Sequence, residues 1–187
     1  PMMTFGMGVL KGMLVTLKNF ATSYFMKPDN GGIFTVQYPE ERTKAFENSR
    51  NFPFLIYDQT PEQLRCVACG ICERECPTKC IYIVMKTDAA GKPARKPEIF
   101  EIDYGLCMNC GICEEVCPFD SIYMDHAFEI SAQNRFDELI KPKEALLKSN
   151  EYFQKIRPEG AKTVDQKRRV AEEKKKAVAA TAPKQNP

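Results

Sequence analysis

The chain contains one cysteine pattern twice. Each copy reads C-x2-C-x2-C-x3-C-P, and the second copy begins 41 residues after the first. The eight cysteines are Cys66, Cys69, Cys72 and Cys76 in the first copy, and Cys107, Cys110, Cys113 and Cys117 in the second. The correspondence continues between the cysteines, where Gly70-Ile71 matches Gly111-Ile112. Because one copy alone has too little apolar surface to bury, the repeat predicts a single domain with pseudo-two-fold symmetry.

The spacing of these cysteines is typical of iron–sulfur ligation. Three thiolates spaced in this way can bind three irons of one cubic [4Fe–4S] cluster. The fourth cysteine, which its proline turns away, lies too far along the chain to complete the same cluster. In two-cluster ferredoxins this cysteine ligates the other cluster, so the sequence predicts two [4Fe–4S] clusters with exchanged ligands. The predicted ligands are a first set, Cys66, Cys69, Cys72 and Cys117, and a second set, Cys107, Cys110, Cys113 and Cys76.

The side chains around the cysteines suit this interpretation. Gly70 and Gly111 permit tight turns that bring backbone N–H groups close to cluster sulfurs. Apolar neighbours are expected to exclude water, which is one determinant of reduction potential. These neighbours are Ile71, Ile81, Tyr82, Ile112, Ile122 and Tyr123.

Cysteine pairs also occur in structural zinc sites, in disulfides and in thioredoxin-like redox motifs. Zinc ribbons use two pairs with a longer spacer, and a thioredoxin-like motif would lie among alternating strands and helices. The N-terminal stretch carries Lys11 and Lys18 within its apolar residues and lacks a small-residue cleavage site, so we expect no export signal. A cytoplasmic chain with reduced thiols follows, in which iron–sulfur binding is favoured over zinc and disulfides.

Two further residues attract attention without entering the predicted site. Cys80 is the ninth cysteine, and its counterpart in the second copy is Ser121, so the position is expected to hold a small buried side chain. His126 is the chain's one histidine and is expected to lie uncommitted at the surface. No catalytic residue is predicted.

Composition divides the chain into five zones, and the fold class predicted is α+β. The core is a ferredoxin-like two-cluster domain, preceded by an amphipathic helix and followed by an extended arm. The zones are a docking helix (1–26), an extended linker (27–60), the two-cluster domain (61–126), a C-terminal arm (127–161) and a basic, flexible tail (162–187).

Residue periodicity and turn residues predict the individual elements. The predicted strands are Phe54–Tyr57, Ile81–Met85, Ile99–Tyr104 and Ile122–Met124. Helical turns are predicted after Cys69 and Cys110, a loop over 86–97, and one helix over 143–156.

The two ends of the chain differ in charge. Residues 1–26 contain only two charged side chains, Lys11 and Lys18, which share one side of a helical wheel opposite an apolar face. Such a helix lies in a membrane interface, docks on an apolar partner, or covers the chain's own core. The 162–187 segment has a net charge of +5 and suits a solvated tail or contact with an acidic protein or anionic lipid. It lacks aromatic residues, which disfavours nucleic-acid binding.

The combination resembles a known family from about residue 10 to residue 150. The segments that carry the resemblance are Arg65-Cys66-Val67-Ala68-Cys69, Phe100-Glu101-Ile102-Asp103-Tyr104 and Cys110-Gly111-Ile112-Cys113-Glu114-Glu115-Val116-Cys117-Pro118. The chain is similar to the ferredoxin-like subunit, called subunit I, of NADH:quinone oxidoreductase, or respiratory complex I. Departures from the family pattern are Asn51 after Arg50, where glycine is frequent, and Leu106, where arginine is common.

The resemblance implies a function for the chain as a whole. It implies an electron-relay subunit that passes electrons through two [4Fe–4S] clusters towards a terminal cluster and quinone. The expected partners are an upstream iron–sulfur subunit, the quinone-site subunits and a membrane-arm subunit. The chain would lie peripherally on the cytoplasmic face of the membrane, contacting its surface through residues 1–26, and would be part of an enzyme without catalysing bond chemistry itself.

Three other functions remain open at this point. The chain is also compatible with the equivalent subunit of an energy-converting hydrogenase or of a ferredoxin:quinone reductase. A free two-cluster ferredoxin is the second alternative, although such a carrier has no need of residues 1–26. A zinc-stabilised interaction module is the third.

Overall fold

The computed structural model describes residues 5–27, 35–88 and 91–181. The chain divides into one unit up to Lys44 and a second unit from Ala45 onwards. In chain order the elements are α1 (Phe5–Phe25), β1 (Pro53–Tyr57), α2 (Ile71–Glu75), β2 (Ile81–Thr87), β3 (Pro93–Asp103), α3 (Ile112–Glu115), β4 (Ile122–Met124), a π-helical turn (Arg135–Leu139), β5 (Ile140–Pro142), α4 (Lys143–Leu146), β6 (Leu147–Ser149), α5 (Asn150–Ile156) and α6 (Pro158–Thr181).

The predicted helix near the N-terminus is confirmed, since α1 is continuous for 21 residues. It contains no acidic side chain, and its large apolar side chains are exposed. Three glycines within or near its first two turns disfavour an isolated helix, because glycine loses the most backbone freedom on ordering. No helix in the described part of the chain is long and apolar enough to cross a bilayer.

The second unit contains two three-stranded sheets whose pairing reflects the repeat. The strand before the first cysteine motif, β1, pairs antiparallel with β4, the strand after the second motif. The strand after the first motif, β2, pairs antiparallel with β3, the strand before the second motif. The sheet orders are β4-β1-β6 and β2-β3-β5. Each sheet therefore joins the two copies, as a pseudo-two-fold domain requires.

Two apolar cores lie on opposite faces of β1 because side chains alternate along a strand. Leu55 points into a core that contains Cys72, Cys76 and Cys80. Phe54 and Ile56 point the other way, into a second core built largely by the C-terminal helices. The second core consists of Phe54, Ile56, Tyr123, Phe153, Ala161 and Val164. The compact unit thus extends well beyond the two-cluster domain predicted for 61–126.

The single helix predicted over 143–156 is wrong. It is interrupted by β6, which pairs in parallel with β1, so that Leu147 lies opposite Leu55. The chain leaves helical geometry at Leu147. Helix α5 then begins with a side-chain cap, in which the Ser149 hydroxyl oxygen accepts a hydrogen bond from the Tyr152 backbone N–H at 3.2 Å. Pairing with a distant strand replaces the local helical hydrogen bonds.

The loop predicted over 86–97 is also largely wrong. Strands β2 and β3 continue as a hairpin, with Met85 opposite Pro97 and Thr87 opposite Pro93. The pairing shifts register on both sides of Met85, since proline cannot donate to the ladder. The prolines therefore make this hairpin irregular without preventing it.

The flexible tail predicted from residue 162 is helical as far as Thr181. Ala161 and Val164, on the first two turns of α6, are buried in the second core. The Arg168 guanidinium forms an ion pair with Asp58 at 2.9 Å. Charge composition alone misses these few apolar positions, which anchor the helix to the domain.

A buried carboxylate joins three elements of this unit. Asp125, which follows β4, accepts hydrogen bonds from the Lys148 ammonium and, at 2.6 Å, from the Tyr152 hydroxyl. The His126 backbone N–H also donates a hydrogen bond to this carboxylate, at 2.7 Å. Burial acts to raise the pKa of Asp125, but the bonds from Lys148 and Tyr152 outweigh it and leave the pKa below its usual value of 3.8.

We expect the Asp125→Asn variant to be less stable than the parent chain by about 1.5–3 kcal/mol, the usual contribution of hydrogen bonds to a charged group. Because the folded-state pKa is lowered, this contribution is complete above about pH 5 and is lost as the pH falls through the usual value and then through the lowered one. The difference in unfolding free energy, measured anaerobically by circular dichroism, should therefore be constant between pH 6 and pH 8. A difference that changes across this interval would contradict the assignment.

Candidate metal centre

Strand pairing brings together cysteines from opposite copies of the motif. At one end of the hairpin, Ile81 lies opposite Ile102. Cys76 precedes Ile81 by five residues, and Cys107 follows Ile102 by five, so both arrive at the same edge. Cysteines from the two motifs also meet where Leu55 pairs with Ile122, because Cys66 follows β1 and Cys117 precedes β4.

All four thiols of the second set line one cavity. Cys76 contributes from the first motif, and Cys107, Cys110 and Cys113 contribute from the second. The remaining walls are mainly apolar and consist of Pro53, Pro77, Thr78, Cys80, Ile81, Met108, Gly111, Ile112 and Met124. The structure therefore brings Cys76 of the first motif together with three cysteines of the second motif, an arrangement that the predicted exchange requires.

The thiols of the first set also lie near one another. Cys72 interacts electrostatically with Cys66, Cys117 and Cys69. Backbone hydrogen bonds hold the ends of this set together, since Ile56 donates to the Ser121 carbonyl at 2.9 Å and accepts from the Arg65 N–H at 3.2 Å. Of the set, Cys69 is the exposed member.

Burial governs the acidity of several thiols. It raises the pKa of Cys72 and of Cys113 to about 12, with nearby cysteines adding repulsion. The pKa of Cys66 is raised for the same main reason. The pKa of Cys107 is instead lowered, chiefly by a hydrogen bond from Cys80. A buried group of thiolates requires a compensating positive charge, which metal ions provide.

The turns that carry the cysteines repeat in their backbone geometry. Gly70 and Gly111 have φ values of 71° and 80° and precede the short helices α2 and α3. Side-chain-bearing residues repeat the same left-handed geometry at equivalent positions: Ala68 with Asn109, and Lys79 with Asp120. Strain of this kind at matched positions indicates that the folded context imposes one turn shape on both motifs.

The donor chemistry of both sets fits an iron–sulfur cluster. Four sulfur donors, apolar walls and tight turns are the features by which proteins hold such clusters. All nine cysteines are free thiols in this structure. In the described ranges, no three His, Cys, Asp or Glu side chains are arranged to bind a single metal ion.

A family model described as a 4Fe-4S dicluster domain matches residues 65–121, a segment that contains all eight motif cysteines. The NADH-quinone oxidoreductase subunit I 1 of Geobacter sulfurreducens is 39% identical over 141 residues, which cover 75% of this chain and 96% of that protein. The chain belongs to the NADH-quinone oxidoreductase subunit I family.

Other members of the subunit I family match over different lengths. Subunit I 2 of Rhodopseudomonas palustris is 39% identical over 75% of this chain and 76% of its own length. Subunit I of Magnetococcus marinus is 37% identical over 93 residues, so the match spans half of that protein. A chain of the membrane-bound sulfane sulfur reductase, an archaeal respiratory membrane complex, covers 72% of this chain and 70% of its own at 22% identity and a TM-score of 0.43.

Both departures from the subunit I pattern lie near the second motif, since Leu106 directly precedes Cys107 and Asn51 follows Arg50, which contacts the motif. Arg50 donates to the Cys110 carbonyl at 2.8 Å and pairs with the Glu115 carboxylate at 2.9 Å. The Asn51 side chain donates to the His126 carbonyl at 3.1 Å. Arg50 could not be assigned to the site from sequence alone, because 60 residues separate it from Cys110.

The predictions for three neighbouring side chains, Tyr82, Tyr123 and His126, are wrong. Tyr82 is exposed and Tyr123 packs in the second core, so neither excludes water from the thiols, whereas Ile81 and Ile122 are buried beside them. His126 is half-buried, with its ring Nε2 at 3.2 Å from the Glu47 carbonyl oxygen, so it is not uncommitted. The outward position of Tyr82 follows from strand alternation after Ile81.

Cys80 is small and buried, as its counterpart predicted, but it also contacts the second set. Its sulfur lies 3.5 Å from Cys76 Sγ. Ser121 correspondingly lies near Cys66 in the first set, where it acts to lower the pKa of that thiol. The repeat contained the signal for both contacts, since positions that match within a pseudo-two-fold domain have matching surroundings.

Proposed function

We propose that this chain is the electron-relay subunit of an NADH:quinone oxidoreductase, in which it holds two [4Fe–4S] clusters. The observation that carries the proposal is the convergence of Cys76 with Cys107, Cys110 and Cys113 around one cavity, in a chain of the subunit I family. The first set, Cys66, Cys69, Cys72 and Cys117, would hold one cluster, and the second set, Cys107, Cys110, Cys113 and Cys76, would hold the other. Such clusters gain and lose single electrons over a wide range of potentials.

The chain's own residues would position the two groups and keep them dry. Helices α2 and α3 pack together, and Cys113 of the second set interacts electrostatically with Cys72 of the first. Ile81, Ile102 and Ile122 are buried in the core that receives the cysteines. The first set reaches the surface at Cys69, where an external electron donor or acceptor could approach.

The proposed partners are the upstream iron–sulfur subunit, the quinone-site subunits and a membrane-arm subunit. The chain would lie peripherally on the cytoplasmic face of the membrane.

A tagged chain purified from membranes of its source should co-purify with these subunits and with NADH:quinone activity. Co-purification with hydrogenase subunits, or with a ferredoxin-oxidising subunit, would replace the proposed complex by another. Recovery of a free chain in the soluble fraction would support a ferredoxin carrier and contradict the proposal.

We also propose that α1 lies on the membrane surface. Leu10, Leu14 and Leu17 fall on one side of the helix and are each about 60% exposed. Lys11 and Lys18 lie on another side, where they could meet anionic lipid headgroups. The absence of acidic side chains from α1 suits such a surface.

A matched pair of substitutions tests this orientation. Leu17→Glu places a charge on the apolar side and is expected to weaken binding to phosphatidylglycerol-containing vesicles about tenfold to hundredfold, since burying leucine contributes about 1.5–3 kcal/mol. Val15→Glu introduces the same charge on the polar side of the helix and should weaken binding less. Sedimentation of the full chain with vesicles measures both. Equal loss in the two variants, or no binding by the parent chain, would contradict the proposal.

A further inference from the structure

The position four residues after each C-P cysteine has the same surroundings in both halves of the domain. Cys80 and Ser121 are 7% and 1% exposed. Each follows a residue in the left-handed region, Lys79 with φ 52° and Asp120 with φ 48°. Each carbonyl accepts a 2.9 Å hydrogen bond from the backbone N–H of a neighbouring strand. The Cys80 carbonyl accepts from Asp103 in β3, and the Ser121 carbonyl accepts from Ile56 in β1. Strand contacts thus hold the backbone at both positions in the same geometry.

Each of these side chains reaches a cysteine of the nearer set. Cys80 lines the cavity of the second set together with Cys107, and its sulfur lies 3.5 Å from Cys76 Sγ. Ser121 lies close enough to Cys66 for its hydroxyl to act to lower the pKa of that thiol. Cys107 and Cys66 are the opening cysteines of the two motifs, so the contacts correspond under the pseudo-two-fold repeat.

One further polar group faces the second set at this level. The Thr78 hydroxyl oxygen is 3.6 Å from Cys76 Sγ. Its counterpart in the other half is Phe119, which has no hydrogen-bond donor on its side chain. The two halves therefore share the backbone geometry at these positions but differ in the hydrogen-bond donors that their side chains provide.

We propose that Cys80 and Ser121 are matched hydrogen-bond donors that set different reduction potentials at the two clusters. The proposal rests on the cluster binding described under Proposed function. A donor to a ligating sulfur stabilises added negative charge and so favours the reduced state, which raises the potential. A hydroxyl is a stronger donor than a thiol, so Ser121 raises the potential at the first set more than Cys80 does at the second.

Near-isosteric exchanges test the proposal with little change in packing. In the full, cluster-containing chain, Cys80→Ser should raise the potential of the cluster at the second set, and Cys80→Ala should lower it. Ser121→Cys and Ser121→Ala should lower the potential of the cluster at the first set. In each case the other cluster is the internal control. The expected size is about a tenfold change in the ratio of reduced to oxidised cluster at fixed potential, which is about 59 mV for one electron.

Anaerobic redox titration followed by electron paramagnetic resonance measures both potentials, and iron analysis accompanies it. About eight irons per variant chain with shifts confined to the nearer cluster would support the proposal. Unchanged potentials in all four variants with full iron content would overturn it. Loss of iron in Cys80→Ala that serine restores would make Cys80 a ligand instead of a donor and would also overturn it. A parent chain that binds no iron would instead refute the proposed function.

Discussion

Replacing Cys76 by alanine is expected to disrupt the cluster that we propose for the second set, although Cys76 belongs to the first motif. Its sulfur lines the same cavity as Cys107, Cys110 and Cys113, and strand pairing between β2 and β3 holds it there. Each cluster needs four sulfur ligands, so the variant should lose up to half of the about eight irons of the parent chain. Iron analysis after anaerobic reconstitution gives this number.

Paramagnetic resonance spectra decide between exchanged and unexchanged ligation. The spectrum of Cys76→Ala should group with that of Cys107→Ala, and the spectrum of Cys117→Ala with that of Cys66→Ala. Each motif closing on its own cluster would reverse these groups and contradict the assignment. Cys80→Ser is the matched control, because it alters a cysteine of the same cavity that is not a predicted ligand and should retain about eight irons.

The sulfur arrangement could be predicted from sequence because short-range geometry determines most of it. Cysteines three residues apart on a tight turn meet whatever the rest of the chain does, and Gly70 and Gly111 supply that turn. The position of Cys76 beside the cysteines of the second motif depends on long-range strand pairing, but the repeat predicts it, since two matching units can complete each other. The short strands Phe54–Tyr57 and Ile122–Met124 were also predicted, and they pair with each other.

The C-terminal half of the chain was predicted less well because distant partners override its local pattern. Helical periodicity runs through 143–156, yet Leu147 pairs with Leu55, 92 residues earlier. Strand pairing with a buried partner satisfies the same backbone groups and packs Leu147 against the core that contains Leu55. The charged segment after residue 162 looked solvated, because Ala161 and Val164 are too few to produce a clear apolar face.

Contacts between side chains far apart in sequence were the least accessible to prediction. Arg157 is buried and pairs with Glu114, which directly follows the ligand candidate Cys113. Arg65, just before Cys66, pairs with Asp58 at 2.7 Å. Burial of a guanidinium requires such a partner, but the sequence does not say which carboxylate supplies it. These ion pairs connect the cysteine turns to the surrounding domain.

Replacing Phe153 by alanine is expected to destabilise the whole domain by about 3–5 kcal/mol, the usual cost of removing a fully buried phenylalanine. Phe153 is 0% exposed, and its ring centroid lies 4.3 Å from that of Tyr123. Because Tyr123 belongs to β4, which pairs with β1, the cavity left by the substitution would loosen the strand that follows the second cysteine motif. Anaerobic denaturant unfolding of the cluster-containing chain, followed by circular dichroism, measures the loss.

Phe136→Ala provides the control, because the Phe136 side chain is 72% exposed and its removal should change stability by less than about 0.5 kcal/mol. A second readout separates global from local unfolding: visible absorbance of the clusters should disappear at the same denaturant concentration as the helical signal. If Phe153→Ala behaved like Phe136→Ala, or if absorbance outlasted the helical signal, the C-terminal helices would be an appendage of the two-cluster domain. One common transition, moved to lower denaturant, means that α5 and α6 are part of the structure that holds the cysteines in place.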